Sequence, residues 1–120
     1  VAGSDMSYYQ HEEFACNDNC GLNNASPDLV EMLERLCELY GKKITLNSVS
    51  RCPKHNADIG GSPTSSHLKG LAADMSVLSS RERFKIVELI YLVGFDRIEV
   101  KDTWIHVDID SSKDKDVLWL

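Results

Sequence analysis

From Val49 to Ser66 the chain reads VSRCPKHNADIGGSPTSS, a polar stretch rich in Gly, Pro, Ser and Asn in which apolar residues follow neither the helical nor the strand period. In a chain of 120 residues such a connection needs a reason to exist, because ordering it costs conformational entropy that one small core must offset. The regular structure must therefore come from its flanks. KITLNS, residues 43–48, and LAADMSV, residues 71–77, read as strands on either side of it. Upstream, SPDLVEMLERLCELYG reads as a helix, with Ser26 as N-cap, Pro27 at the first position, Asp28 near the positive dipole end and Gly41 as the stop. Leu29, Met32, Leu33, Leu36, Cys37 and Tyr40 form its apolar stripe. Downstream, SSRERFKIVELIYLVG predicts a second helix, capped by Ser79 or Ser80 and ended by Gly94, with Phe84, Val87, Ile90 and Tyr91 as its inner face. Strands near FDRIEV (95–100) and TWIHVDI (103–109) close the chain, and Leu118, Trp119 and Leu120 are expected to fold back.

This order predicts an α+β fold, a small, mostly antiparallel sheet packed with two main helices. One domain is expected over residues 13–120, after an N-terminal segment 1–12 in which Gly3, Ser4 and Asp5, just before Met6, read as a cloning remnant. With 13 Lys and Arg against 19 Asp and Glu, the net charge is −6, and the basic residues are scattered rather than gathered into a patch. Nucleic acid is thus not an expected partner. No apolar run approaches the ~20 residues that span a bilayer, and VAGSDMSYYQ has neither a basic nor an apolar signal region, so neither a membrane span nor a signal peptide is expected in this chain. A monomer is expected.

The candidate chemistry lies at the end of the long connection. Asp74 stands between Ala73 and Met75 in a strand, where an ionised carboxylate is costly without a cation or several donors. His67 precedes it by seven residues, with Gly70 allowing a tight turn and Ala72 and Ala73 leaving room for close approach. His106 sits in the last predicted strand, on the face opposite Ile105 and Val107. Two imidazoles and one carboxylate from three segments would make a zinc site with its fourth position open, although any one of these residues alone is more often a hydrogen-bonded core or surface group. Cys16 and Cys20, in FACNDNCG, invite a structural zinc with Cys37 and Cys52, but the spacing fits poorly. Cys37 reads more simply as core, and Cys52 could pair with Cys16 or Cys20 in an oxidising compartment. DIDSSKDKD lacks the Gly and the closing Glu of a calcium loop and reads as a solvated turn.

The run SVSRCPKHNADIGGSPTSSHLKGLAAD, together with WIHVDI, resembles the zinc D-Ala-D-Ala carboxypeptidase family, which includes the VanX and VanY peptidases and phage L-alanyl-D-glutamate endolysins and shares its metal-site architecture with the Hedgehog signalling domain. The family signature is Ser-x-His, a Gly three and an Asp seven residues after that His, and a distant His in a closing strand. Ser65, His67, Gly70, Asp74 and His106 match it, and the similarity runs from about Glu13 to Ile109. The resemblance implies a Hedgehog/DD-peptidase-like fold and one Zn²⁺ on His67, Asp74 and His106. It implies hydrolysis of peptidoglycan peptides, as a carboxypeptidase or an endopeptidase. The site of action would be the bacterial cell wall, reached from the periplasm or outside, or by a phage lysin made in the cytoplasm. Arg51 matches the Arg that meets the substrate, and Ser66 and Asn56 fall at loop positions that hold substrate or the loop itself.

The chain departs from the family in two places. Many relatives carry an acid three residues before the last zinc His, where this chain has Thr103. Of the nearby acids Asp102, Glu99 and Asp108, Asp102 is the expected catalytic base. A regular strand would hold it ~13 Å from His106, but a turn at Asp102-Thr103 would swing it over the metal. Asp108, ~6.6 Å along the strand, is expected to orient a zinc-bound imidazole. The family's Ser-Gly-Tyr-Arg reads Ser48-Val49-Ser50-Arg51, which keeps the Arg and changes its neighbours. The missing acid leaves open a second reading, a zinc-stabilised binding module of the same fold that does not hydrolyse.

Overall fold

The computed structural model describes residues 7–120; residues 1–6, with the expected Gly3-Ser4-Asp5 remnant, lie outside the described residues. Helix α1 spans Pro27–Tyr40, capped by the Ser26 hydroxyl, which accepts from the Asp28 amide, and closed by Gly41 at φ 89°. Helix α3 spans Ser80–Val93, with Ser79 accepting from the Glu82 amide and Gly94 as its left-handed stop. Between them, α2 (Pro53–Asp58) and a 3-10 turn (Ser66–Lys69) lie inside the stretch that the sequence left without periodicity. Both are too short to display a period.

The strands are β1 (Leu46–Ser48), β2 (Ala72–Ser76), β3 (Arg97–Val100), β4 (Trp104–Asp108) and β5 (Val117–Trp119). They form one sheet in the order β1-β2-β4-β3-β5, antiparallel except for the β3–β5 pair. The fold is the α+β sheet-and-helix arrangement expected from the element order. β1 is shorter than expected, although Thr45 still accepts from the Ser76 amide, so the ladder reaches past its formal start.

The strand period gives the sheet two unlike faces. On one, Ala73 and Met75 of β2, Ile105 and Val107 of β4 and Ile98 of β3 join Leu29, Leu33, Leu36 and Cys37 of α1 and Ile86, Leu89 and Ile90 of α3 in a single core. Each fully buried leucine or isoleucine contributes about 1.5–3 kcal/mol. The inner face of α3 differs from the expected one: Phe84 is 78% and Tyr91 56% exposed, while Ile86, Leu89 and Ile90 are buried. This helix carries apolar residues around much of its circumference, so periodicity alone could not choose the stripe.

The packed body reaches further towards the N-terminus than the boundary expected at residue 13. Tyr9 is buried and its hydroxyl donates to the Ile44 carbonyl, while the Tyr8 and Tyr9 amides donate to the Glu34 carboxylate. Burial pushes the Tyr9 phenol well above its ordinary pKa, so it serves as a neutral strut between the chain start and α1.

Candidate metal centre

The second face of the sheet carries a single polar rung. Register places Ser48 beside Asp74, Asp74 beside His106, His106 beside Glu99, and Glu99 beside Trp119. Directly paired residues project to the same side, so five strands deliver five side chains in one row. His67 approaches this row from the 3-10 turn, whose N-cap Ser65 accepts from the His67 amide at 3.2 Å. The turn ends at Gly70, φ 70°, where an added Cβ would come within 2.0 Å of the Asn24 carbonyl oxygen. Only glycine allows the chain to pass here on its way from His67 into β2.

Hydrogen bonds fix which ring atoms are free. His67 Nδ1 lies 2.8 Å from the Val49 carbonyl, which can only accept, so Nδ1 carries the proton and Nε2 bears a lone pair. That Nε2 is buried without a hydrogen-bond partner and stands 3.2 Å from Asp74 Oδ1. His106 Nε2 donates to Asp108 Oδ2 at 2.7 Å, leaving Nδ1, 3.0 Å from the same Asp74 Oδ1, to face His67. His67, Asp74 and His106 thus bring ligand atoms within 4.8 Å of one another. An unprotonated Nε2 facing a carboxylate oxygen sets two acceptors together, an arrangement that a cation between them relieves. The residues therefore fit a metal ion, and two imidazoles with one carboxylate is a donor set that suits Zn²⁺.

Protons and a metal ion compete for these atoms. Burial opposes ionisation of Asp74, yet the two imidazoles beside it hold its carboxyl well below the usual range. Burial likewise disfavours charge on His106, but the Asp108 and Asp74 carboxylates push it up to about 9, so an ion bound at Nδ1 displaces a proton. Asp108 is 1% exposed and accepts from Arg97 Nε at 2.7 Å through its other oxygen. A carboxylate in this place is suited to fix the orientation of the His106 ring.

The other expected residues are divided. Arg51 lines the cleft, of about 590 Å³, with Nη2 3.2 Å from Ser48 Oγ and 3.5 Å from Asp74 Oδ2. Asn56 is buried; its Oδ1 accepts from Arg51 Nη1 at 3.1 Å and its Nδ2 donates to the Ser62 carbonyl, so it braces Arg51 and the loop. Ser66 is also buried, donating to Asp110 Oδ2 at 2.7 Å. Both therefore hold the loop. Asp102 is exposed and lies with Arg83, Thr103 and Leu120 around a separate depression, its carbonyl accepting from Arg83. It is not among the residues that line the cleft of His67, Asp74 and His106.

Of the acids near His106, the cleft holds Glu99 and Asp108 and not Asp102. Glu99 is half-buried, lines the cleft and pairs with His106 across β3 and β4. The short link from Val100 to Trp104 sets that register, so hairpin arithmetic on the sequence could have found it. Trp119, with its ring centroid 5.8 Å from that of His106 and Arg97 5.2 Å over it, had no comparable signal. Asp110, expected in a solvated turn, is buried and receives Ser66, Lys69 and Ser112. A larger depression, about 790 Å³, is lined by α1, the chain start and the end of α3 and holds none of these residues.

An α+β fold with a His, Asp, His trio on the open face of its sheet defines a domain with a candidate metal centre in its cleft. The family profile described as Peptidase M15 matches residues 7–108, and the chain belongs to this family of metallopeptidases. The match takes in His67, Asp74, His106, Arg51 and Glu99 and ends at Asp108. Among curated proteins, none matches the chain significantly.

Proposed function

We propose that the protein is a zinc-dependent peptidase that hydrolyses a peptide bond in bacterial peptidoglycan, of the D-Ala-D-Ala carboxypeptidase or L-Ala-D-Glu endopeptidase type. The observation that carries this reading is the buried, unpartnered Nε2 of His67, aimed at the Asp74 carboxylate and the free nitrogen of His106 within a cleft of a Peptidase M15 chain. His67, Asp74 and His106 would hold one Zn²⁺, which when bound lowers the pKa of its water and polarises the scissile carbonyl.

The chain's own residues do the rest. Glu99, on the same rung as His106, is the carboxylate placed to take a proton from the attacking water and return it to the leaving amine. Its neighbour Lys101 places Nζ 3.4 Å from Glu99 Oε2, at the edge of the cleft. Arg51 presents a planar guanidinium at the cleft wall, a group that suits a substrate carboxylate or carbonyl, and its reach to Asp74 ties substrate binding to the ligand set. Arg97 and Asp108 fix the His106 ring, and Trp104 and Trp119 supply apolar cleft walls. Such a protein acts at the cell wall on a peptide partner, and no described helix is long and apolar enough to cross a membrane.

Digestion of purified peptidoglycan, followed by mass spectrometry of the released fragments, tests the reading. Zinc-loaded protein is expected to generate new amine termini or to release D-alanine, and the cut identifies the bond. A folded, zinc-loaded protein that releases nothing from peptidoglycan or its isolated stem peptides would instead establish the non-catalytic binding module.

A further inference from the structure

Away from the metal centre, three of the four cysteines converge. Cys16 and Cys20 flank a loop in which Asn19 and Gly21 take the left-handed conformation, at φ 58° and 88°, and Cys52 is the N-cap of α2, next to Arg51. The sulfurs of Cys16, Cys20 and Cys52 all lie within 4.8 Å of one another, and all three are free thiols. The four-cysteine grouping considered from the sequence faltered on Cys37. The structure removes that residue, placing Cys37 fully buried in the core with its thiol on the Tyr9 hydroxyl.

Three further features favour a bound cation over a chance meeting. Backbone amides point at two of the sulfurs, Cys52 N–H at Cys16 Sγ (3.4 Å) and His55 N–H at Cys52 Sγ (3.3 Å), and such donors stabilise thiolates. A disulfide would join two sulfurs and strand the third. A tetrahedral ion with Zn–S bonds of ≈ 2.3 Å instead needs sulfurs roughly 3.8 Å apart, and the three already lie within 4.8 Å of one another. An oxygen donor is also at hand: Asp18 Oδ2 lies 4.0 Å from Cys52 Sγ, with Lys54 Nζ 3.9 Å from the same carboxylate to offset the negative charge of the cluster.

We propose that Cys16, Cys20 and Cys52, completed by Asp18, form a second, structural Zn²⁺ site. It ties the loop after the first 3-10 turn (His11–Phe14) to the segment that carries Arg51. The three thiols lose their protons as the ion binds, so affinity rises with pH. The site is separate from the His67, Asp74 and His106 centre and does not depend on the reaction assigned to it.

Titration of reduced, metal-stripped protein with Co²⁺ tests this, because only sulfur ligands give thiolate-to-cobalt charge-transfer absorption in the near ultraviolet. The band is expected to saturate at one ion per chain and to vanish when Zn²⁺ is added. Cys20→Ser, at an exposed position, is expected to weaken binding of this ion at least tenfold, Cys52→Ser to abolish the band, and His67→Ala to leave it intact. The proposal is overturned if folded, reduced protein shows no such band, or if the band survives both cysteine substitutions. A Cys16–Cys52 or Cys20–Cys52 disulfide in peptide maps of protein alkylated at lysis would overturn it as well.

Discussion

Two carboxylates close together in sequence, Glu99 and Asp102, meet different fates because one lies in a paired strand and the other in the turn that follows. Glu99 inherits its place from the ladder, opposite His106, whereas Asp102 is exposed in the turn, where its backbone carbonyl accepts from Arg83. Glu99→Gln is therefore expected to lower kcat for stem-peptide hydrolysis by about 10²–10⁴-fold with bound zinc unchanged. Asp102→Ala is expected to stay within about twofold of the parent, since it touches no reacting group. Steady-state kinetics with metal content measured on the same samples checks both, and the reverse pattern would return the base to Asp102. The proposed ligands were legible in the sequence because Ser-x-His, Gly and Asp recur at fixed short spacings around one turn. The proposed base was not, because the position of Glu99 depends on pairing between two strands, and the distance along the chain from Glu99 to His106 conceals that they are neighbours.

The element that decides the geometry of the centre is the 3-10 turn that presents His67. Its exit through Gly70 is doubly constrained, by a φ of 70° and by an Asn24 carbonyl that a Cβ would approach to 2.0 Å. Gly41, the stop of α1, shares the positive φ but faces open space. Gly41→Ala is thus expected to cost about 1 kcal/mol, the left-handed penalty alone. Gly70→Ala must also move backbone, and is expected to cost roughly 2–4 kcal/mol and to weaken metal binding. Urea denaturation of the two variants side by side checks this, and equal losses would show that the Asn24 contact yields without consequence. The main helices and strands could be read from caps and periodicity, since Ser26, Gly41, Ser79 and Gly94 act locally. The short helix α2 and the buried face of α3 could not, because one has too few residues to show a period and the other presents two apolar stripes.

Across the whole molecule, polar links fasten the site face to an apolar body. Asp110 is the clearest case, a buried carboxylate gathering Ser66, Lys69 and Ser112 and so joining the His67 turn to the segment after β4. Burial opposes its charge, but hydrogen bonds from Ser112, Ser66 and Lys69 hold its pKa well below the model-peptide 3.8. Because the folded pKa is the lower one, the stabilisation is present above about pH 4 and is lost as the pH falls through the folded value. Asp110→Asn, which cannot lose a proton, is expected to be less stable than the parent at neutral pH, with a gap that narrows from pH 5 to pH 2. Thermal unfolding across that range checks it, and a gap that stays constant would show that Asp110 contributes shape rather than charge. The most direct test of the structure as a metallopeptidase is elemental analysis of dialysed protein, comparing the parent with His67→Ala while circular dichroism confirms that both are folded. Removal of the unpartnered Nε2 is expected to leave His67→Ala with one zinc ion per chain fewer than the parent. Equal zinc in the two proteins would contradict the assignment of the metal to His67, Asp74 and His106.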